Sequence, residues 1–106
     1  MENISVEQLK GRIDAGEQLN VLDVREADEY AAANIGARLL PLSDLRNMDA
    51  DAIEDWKDQE VIVHCRSGKR SIEACMLLET MGFAKTVNVV GGIMEWQEKY
   101  GDQKLG

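Results

Sequence analysis

The chain has 106 residues, 44% of them hydrophobic and 30% charged. This composition suits one domain over residues 1–106 with its own core and argues against disorder. Twenty acids against twelve bases leave a net charge of −8, so the overall field repels phosphate and argues against a nucleic acid or an anionic membrane as partner.

Ile4 suits a short edge strand. Ser5 followed by Gln8 has capping-box spacing, Val6, Leu9 and Ile13 recur at helical intervals, and Gly16 can end that helix. Leu19 to Val24 reads as a strand buried on both faces, the pattern of a parallel sheet. Ala27 to Ala33 is a short helix stopped by Asn34 and Gly36. Arg38 to Leu40 is a brief strand closed by Pro41, the only proline. Ser43 is expected to cap a helix through Arg46. Asp49 or Asp51 starts another segment, with Ile53 and Trp56 as its apolar face.

Val61 to His64 is the central strand. Ser71 to Met81 carries the strongest helical stripe, Ala74, Leu77, Leu78 and Met81. Ile72 and Met76 lie on its other, half-covered side, and Gly82 follows as a C-cap. Thr86 to Val90 is the next strand. Gly91-Gly92 turns the chain into a helix from Ile93 to Tyr100, closed by Gly101, and Asp102 to Gly106 is expected to fray. Alternating strands and helices with short connections predict an α/β fold, a mainly parallel sheet with helices on both faces. In such sheets ligands bind at the carboxyl ends of strands, and Cys65 stands at one.

The segment after that strand, Cys65-Arg66-Ser67-Gly68-Lys69-Arg70-Ser71, holds three cations and no acid. Gly68 permits the tight or left-handed backbone that turns N–H groups inward as an anion nest. A helix start near Ser71 and the cations Arg66, Lys69 and Arg70 are expected to lower the thiol's pKa. Such a site suits phosphoryl transfer through a cysteinyl phosphate or sulfur transfer through a persulfide. Spacing separates the two. Four residues stand between Cys65 and Arg70, and Ser71 occupies the place where cysteine-dependent phosphatases carry their phosphate-gripping arginine. The loop is one residue short for a tetrahedral phosphate and fits a sulfur better.

Three motifs in order carry a resemblance. Asp23-Val24-Arg25-Glu26 with Glu29-Tyr30, the cysteine segment, and Gly91-Gly92-Ile93-Met94-Glu95-Trp96 resemble the signatures of single-domain rhodaneses, and the match runs over nearly the whole chain. The resemblance implies a rhodanese-like fold with a central five-stranded sheet, a thiosulfate sulfurtransferase, and a Cys65 persulfide cradled by the loop. Asn34-Ile35-Gly36-Ala37 departs from the family, lacking its histidine and proline.

The expected roles follow. Cys65 is the nucleophile, and Arg66, Ser67, Gly68, Lys69, Arg70 and Ser71 bind the substrate, with Ser71 also the N-cap. Asp23 and Arg25 support neighbouring loops, Arg25 pairing with Glu29. His64 faces away from the sulfur, because successive strand residues alternate. Cys75 packs in the core, as Trp56 and Trp96 do. The Cys65–Cys75 spacing fits no metal motif, and a single histidine cannot complete one, so neither metal nor cofactor is expected. The expected partners are a small anionic sulfur donor and a thiol or protein-thiol acceptor. Met1-Glu2-Asn3 runs straight into a helical pattern, so no signal peptide or membrane span is expected, and a cytoplasmic monomer is. A phosphatase or arsenate reductase, and a non-catalytic binding module of the same fold, are the alternatives.

Overall fold

The computed structural model describes residues 1–106. In chain order the elements are β1 (Glu2–Ile4), α1 (Val6–Asp14), β2 (Val21–Asp23), α2 (Ala27–Ala32), β3 (Arg38–Leu39), α3 (Leu42–Arg46), a 3₁₀ segment (Asp51–Trp56), β4 (Glu60–His64), α4 (Lys69–Thr80), β5 (Lys85–Val89) and α5 (Gly92–Tyr100). The five strands form one sheet in the order β1-β5-β4-β2-β3. Every adjacent pair is parallel, so the sheet is wholly rather than mainly parallel.

Strand alternation divides the core. Leu22, Val24, Val61 and Val63 point to one face and pack with Leu42, Leu45, Ile53, Trp56, Ala74, Cys75 and Leu78. Val21, Ile62, Val87 and Val89 point to the other and pack with Val6, Leu9, Ile93 and Trp96. Helices therefore cover both faces, and the middle strands carry apolar side chains on each side. No helix is long and apolar enough to cross a membrane.

The Ser5–Gln8 capping box forms as its spacing requires: Gln8 N–H donates to Ser5 Oγ (3.0 Å) and Ser5 N–H to Gln8 Oε1 (2.8 Å). Several boundaries move. Pro41, not Ser43, is the N-cap of α3, since a fixed proline φ suits the residue that turns a chain into a helix. Ser43 instead donates to Glu26 Oε2 at 3.3 Å. The buried stripe of α4 is Ser71, Ala74, Cys75 and Leu78, with Leu77 and Met81 half-buried at its margin. The helix is thus rotated toward its polar and thiol side chains. The C-terminal tail is tied down rather than frayed. Leu105 N–H donates to Ile35 O (2.8 Å), Trp96 Nε1–H donates to Gln103 O (2.9 Å), and Leu105 packs on the α1–α5 core.

Candidate active site

Three strands end together at the cysteine loop. β4 is buried along its length but for Glu60 and delivers Cys65, 1% exposed. The chain then turns through Gly68, whose φ is 98°. A Cβ there would sit 3.2 Å from Gly91 N, so both conformation and space call for glycine. Gly68, not Ser71, is the N-cap of α4, which begins at Lys69. Ser71 therefore lies inside the first turn, where its free N–H is aimed at the sulfur.

Gly68 N–H and Ser71 N–H donate to Cys65 Sγ at 3.2 and 3.4 Å. Ser71 Oγ lies 3.5 Å from Sγ and donates its proton to Asn88 Oδ1 on β5. Burial pushes the Cys65 thiol up, but the hydrogen-bonding contacts of Ser71, Gly68 and Ser67 with the sulfur outweigh it, and the pKa falls below its ordinary value. The lowering expected of the loop comes from main-chain N–H dipoles at contact distance, more than from the cations.

The outer side of the loop is held by α5. Ile93 N–H donates to Cys65 O at 2.9 Å and Met94 N–H to Arg66 O at 3.0 Å. Helix N-termini leave such N–H groups free, and here the loop carbonyls take them up. Gly92 makes the approach possible: its φ is 55°, and a Cβ would meet Cys65 O at 2.5 Å and Arg66 O at 2.6 Å. The Gly91-Gly92-Ile93-Met94 stretch is a clasp on the cysteine segment.

His64 touches the loop through its backbone only. Its Nδ1 lies 3.2 Å from Cys65 O, while Nε2 is buried 3.6 Å from Asp23 Oδ2 without a hydrogen-bond partner. Burial holds its pKa below the ordinary value, against the pull of Asp23. The neutral ring therefore donates from Nδ1 to the carbonyl and braces the base of the loop.

Charge pairing differs from the sequence expectation. Arg25 grips Asp23, with Nη2–Oδ2 at 2.7 Å and Nε 3.1 Å from each oxygen. It meets Glu29 only at its carbonyl, 3.4 Å away. The Asp23 side chain is two residues off and already buried, so it is the nearer partner. The Glu29 carboxylate instead holds Arg70 in a fork at 2.7 and 2.9 Å, which keeps the Glu29 carboxyl at about 2. Arg70 thus braces α4 against α2. Arg66 and Lys69 stand exposed, and neither is among the ion-paired side chains of the protein.

Ser67, Gly68 and Ser71 gather at the Cys65 sulfur, Arg70 is turned to Glu29, Arg66 and Lys69 are exposed, and Asp23 and Arg25 pair at the end of β2 beside His64. Sequence reasoning missed Asn88 and the Glu29–Arg70 fork. For Asn88 a signal existed: an amide inside the buried run Thr86-Val87-Asn88-Val89 needs a partner. Cys75 is buried in the core, and burial pushes its thiol up to about 11.

The family model described as the rhodanese-like domain matches residues 5–99. The putative sulfurtransferase YtwF of Bacillus subtilis is 39% identical over 92% of this chain and 91% of its own length. The putative sulfur carrier protein YrkF of the same organism is 39% identical over 91% of this chain, which spans only 51% of that protein. Among solved structures, the human single-domain sulfurtransferase TSTD1 superposes with a TM-score of 0.76 at 26% identity, covering 93% of this chain and 97% of that one.

Proposed function

This chain belongs to the rhodanese-like domain family, and from that premise we propose that it transfers sulfane sulfur through a persulfide on Cys65. The family's relatives carry sulfurtransferase names. The observation that carries the finer reading is the sulfur held by Gly68 and Ser71 N–H groups at 3.2 and 3.4 Å, in a segment that also carries the exposed cations Arg66 and Lys69.

The Cys65 thiolate attacks the outer sulfur of thiosulfate or a similar donor. A Cys65–S–S⁻ bond forms, the donor's S–S bond breaks, and sulfite leaves with the electron pair. Charge is conserved: a thiolate and a dianion give a persulfide anion and a dianion. Arg66 and Lys69 attract the donor. The outer sulfur then lies about 2 Å from Sγ, within a loop whose N–H dipoles stabilise negative charge. An acceptor thiolate, or cyanide in an assay, takes the outer sulfur and returns the Cys65 thiolate. Neither step calls for a metal or cofactor.

The test is intact-mass measurement after thiosulfate treatment. A single-sulfur adduct that disappears on reduction and is absent from Cys65→Ser is the expected result. No adduct on the wild type, or an adduct that survives Cys65→Ser, overturns the reading.

A further inference from the structure

Asn88 is 2% exposed on β5 and lies between Val87 and Val89, both part of the apolar core. Its Nδ2–H donates to Asn3 Oδ1 on β1 at 3.1 Å, and its Oδ1 accepts from Ser71 Oγ. An amide oxygen has no proton to give, so the hydroxyl is the donor. Ser71 has only one such proton. While Asn88 holds it, Ser71 presents lone pairs to Cys65 Sγ, 3.5 Å away. A thiol accepts that arrangement by donating S–H to Oγ. A thiolate does not: it needs the proton turned toward it, and turning it strips the buried Asn88 Oδ1 of its donor.

We propose that Asn88 is a positioning residue that keeps the Ser71 proton away from the Cys65 sulfur, so that negative charge is borne better by the outer sulfur of a persulfide than by the inner thiolate. The inference rests on the persulfide reading for its consequence. In Cys65–S–S⁻ the inner sulfur is neutral, and the charge has moved beyond Ser71. When an acceptor R–S⁻ attacks, R–S–S⁻ forms, the Cys65 S–S bond breaks, and the electron pair returns to Sγ. That return meets the Ser71 lone pairs. Asn88 therefore keeps the resting thiolate nucleophilic and makes it a poorer leaving group, which lengthens the life of the loaded protein.

The charged and titratable groups around this region are the Arg70–Glu29 fork, Asp23–Arg25 and His64 from β2 and β4, Cys75 from α4 with Glu79 and the N-terminal amine beside it, and the exposed Arg66 and Lys69 of the loop and α4. Asn88→Leu or Asn88→Ala leaves all of them in place, so their influence is common to those variants, whereas Asn88→Asp adds a carboxylate that itself opposes a fall in the thiol's pKa.

The test titrates Cys65 by pH-dependent alkylation in full-length wild type, Asn88→Leu, Asn88→Asp, Ser71→Ala and Ser71→Ala/Asn88→Leu. Freed of its acceptor, the Ser71 proton turns to the thiolate, and a hydrogen bond to a charged group is worth about one pKa unit. The expected result is a thiol pKa lower by about one unit in Asn88→Leu and no fall in Asn88→Asp, which keeps an oxygen acceptor. The fall disappears in the Ser71→Ala background. Persulfide discharge to a fixed thiol is expected to be about threefold faster in Asn88→Leu, because a less basic leaving thiolate departs sooner. Asn88→Ala carries the same comparison should the leucine variant not fold. An unchanged or raised pKa in both Asn88→Leu and Asn88→Ala, or an equal fall without Ser71, overturns the proposal. A wild type that forms no persulfide overturns the sulfurtransferase mechanism instead, and the thiol titration still decides the role of Asn88.

Discussion

Replacing Gly92 with alanine tests whether α5 clasps the cysteine loop. The new Cβ would lie 2.5 Å from Cys65 O, 2.6 Å from Arg66 O and 2.7 Å from Arg66 C, whereas ordinary contact begins at 3.4 Å. Either the loop retreats by about 0.9 Å or α5 does. Overpacking of this kind costs about 1–3 kcal/mol, and a φ of 55° adds about 1 kcal/mol for a residue with a Cβ. The expected loss is about 3 kcal/mol, a fall in Tm of roughly 12 °C or more for a chain of this size. Urea and thermal unfolding read that loss. Stopped-flow persulfide formation on the protein still folded at low temperature reads the second effect. A misplacement on the order of 1 Å at a reacting group can cost up to 10²-fold, so a drop of about tenfold or more is expected. Gly11→Ala is the control. Gly11 lies in α1 with nothing within 4 Å of its Cβ position, and the same substitution there stabilises by about 0.5–1 kcal/mol. A Gly92→Ala protein within about 1 kcal/mol of wild type, loading sulfur at the wild-type rate, refutes the clasp.

Arg66→Ala with Lys69→Ala removes the two unpaired cations of the loop; the KM for thiosulfate is expected to rise about tenfold with kcat nearly unchanged, and the remaining activity to lose its salt dependence. An unchanged KM contradicts their role. Stability should fall with acid in two separate windows. Burial lowers the folded pKa of His64, so its contribution is present above the unfolded value of about 6.5 and is lost as pH drops from there through the folded value. Glu29, at about 2 when folded against 4.5, contributes above about 4.5 and loses that contribution as pH falls toward 2. Urea midpoints measured across this range should show His64→Gln flattening only the upper window and Glu29→Gln only the lower. An unaltered slope between about pH 7 and 5 in His64→Gln counts against the first assignment. Finally, with its thiol pushed up to about 11, Cys75 should resist alkylation near neutral pH while Cys65 reacts; peptide mapping that finds both labelled at similar rates contradicts this contrast.

Most of the framework was legible in the sequence because local rules agree with the global pattern. The apolar run Val61–Val63 could only be a doubly buried strand, and the glycine and cations after Cys65 placed an anion-friendly turn at its end. The Cys65–Arg70 spacing carried the chemistry further than any single residue did. What was not legible depends on tertiary pairing. Nothing local distinguishes Arg70 as a brace from Arg66 as a free charge; only the approach of α2 brings Glu29 to one and not the other. Ser71 read as a cap because a hydroxyl before a helical run ordinarily is one, yet Gly68 reaches the left-handed conformation first and moves the helix start back. The tail looked dispensable because the anchor of Leu105, Ile35, is remote in sequence, and the Trp96–Gln103 bond forms only once the chain turns back at the end of α5.

The hydrogen bonds from Ile93 and Met94 to the carbonyls of Cys65 and Arg66 make the start of α5 an observer of the sulfur. Each amide sees the loop through one carbonyl, and the Arg66 carbonyl shares its peptide plane with the Ser67 N–H, one of the groups that hydrogen-bond the sulfur. When charge moves from the inner sulfur outward, those peptide planes repolarise, and the two amides on their far side register it in chemical shift and exchange rate. Loading and discharge of a sulfur-carrying cysteine could thus be followed without a substrate chromophore, by watching two backbone protons on a neighbouring helix that never touch the sulfur itself.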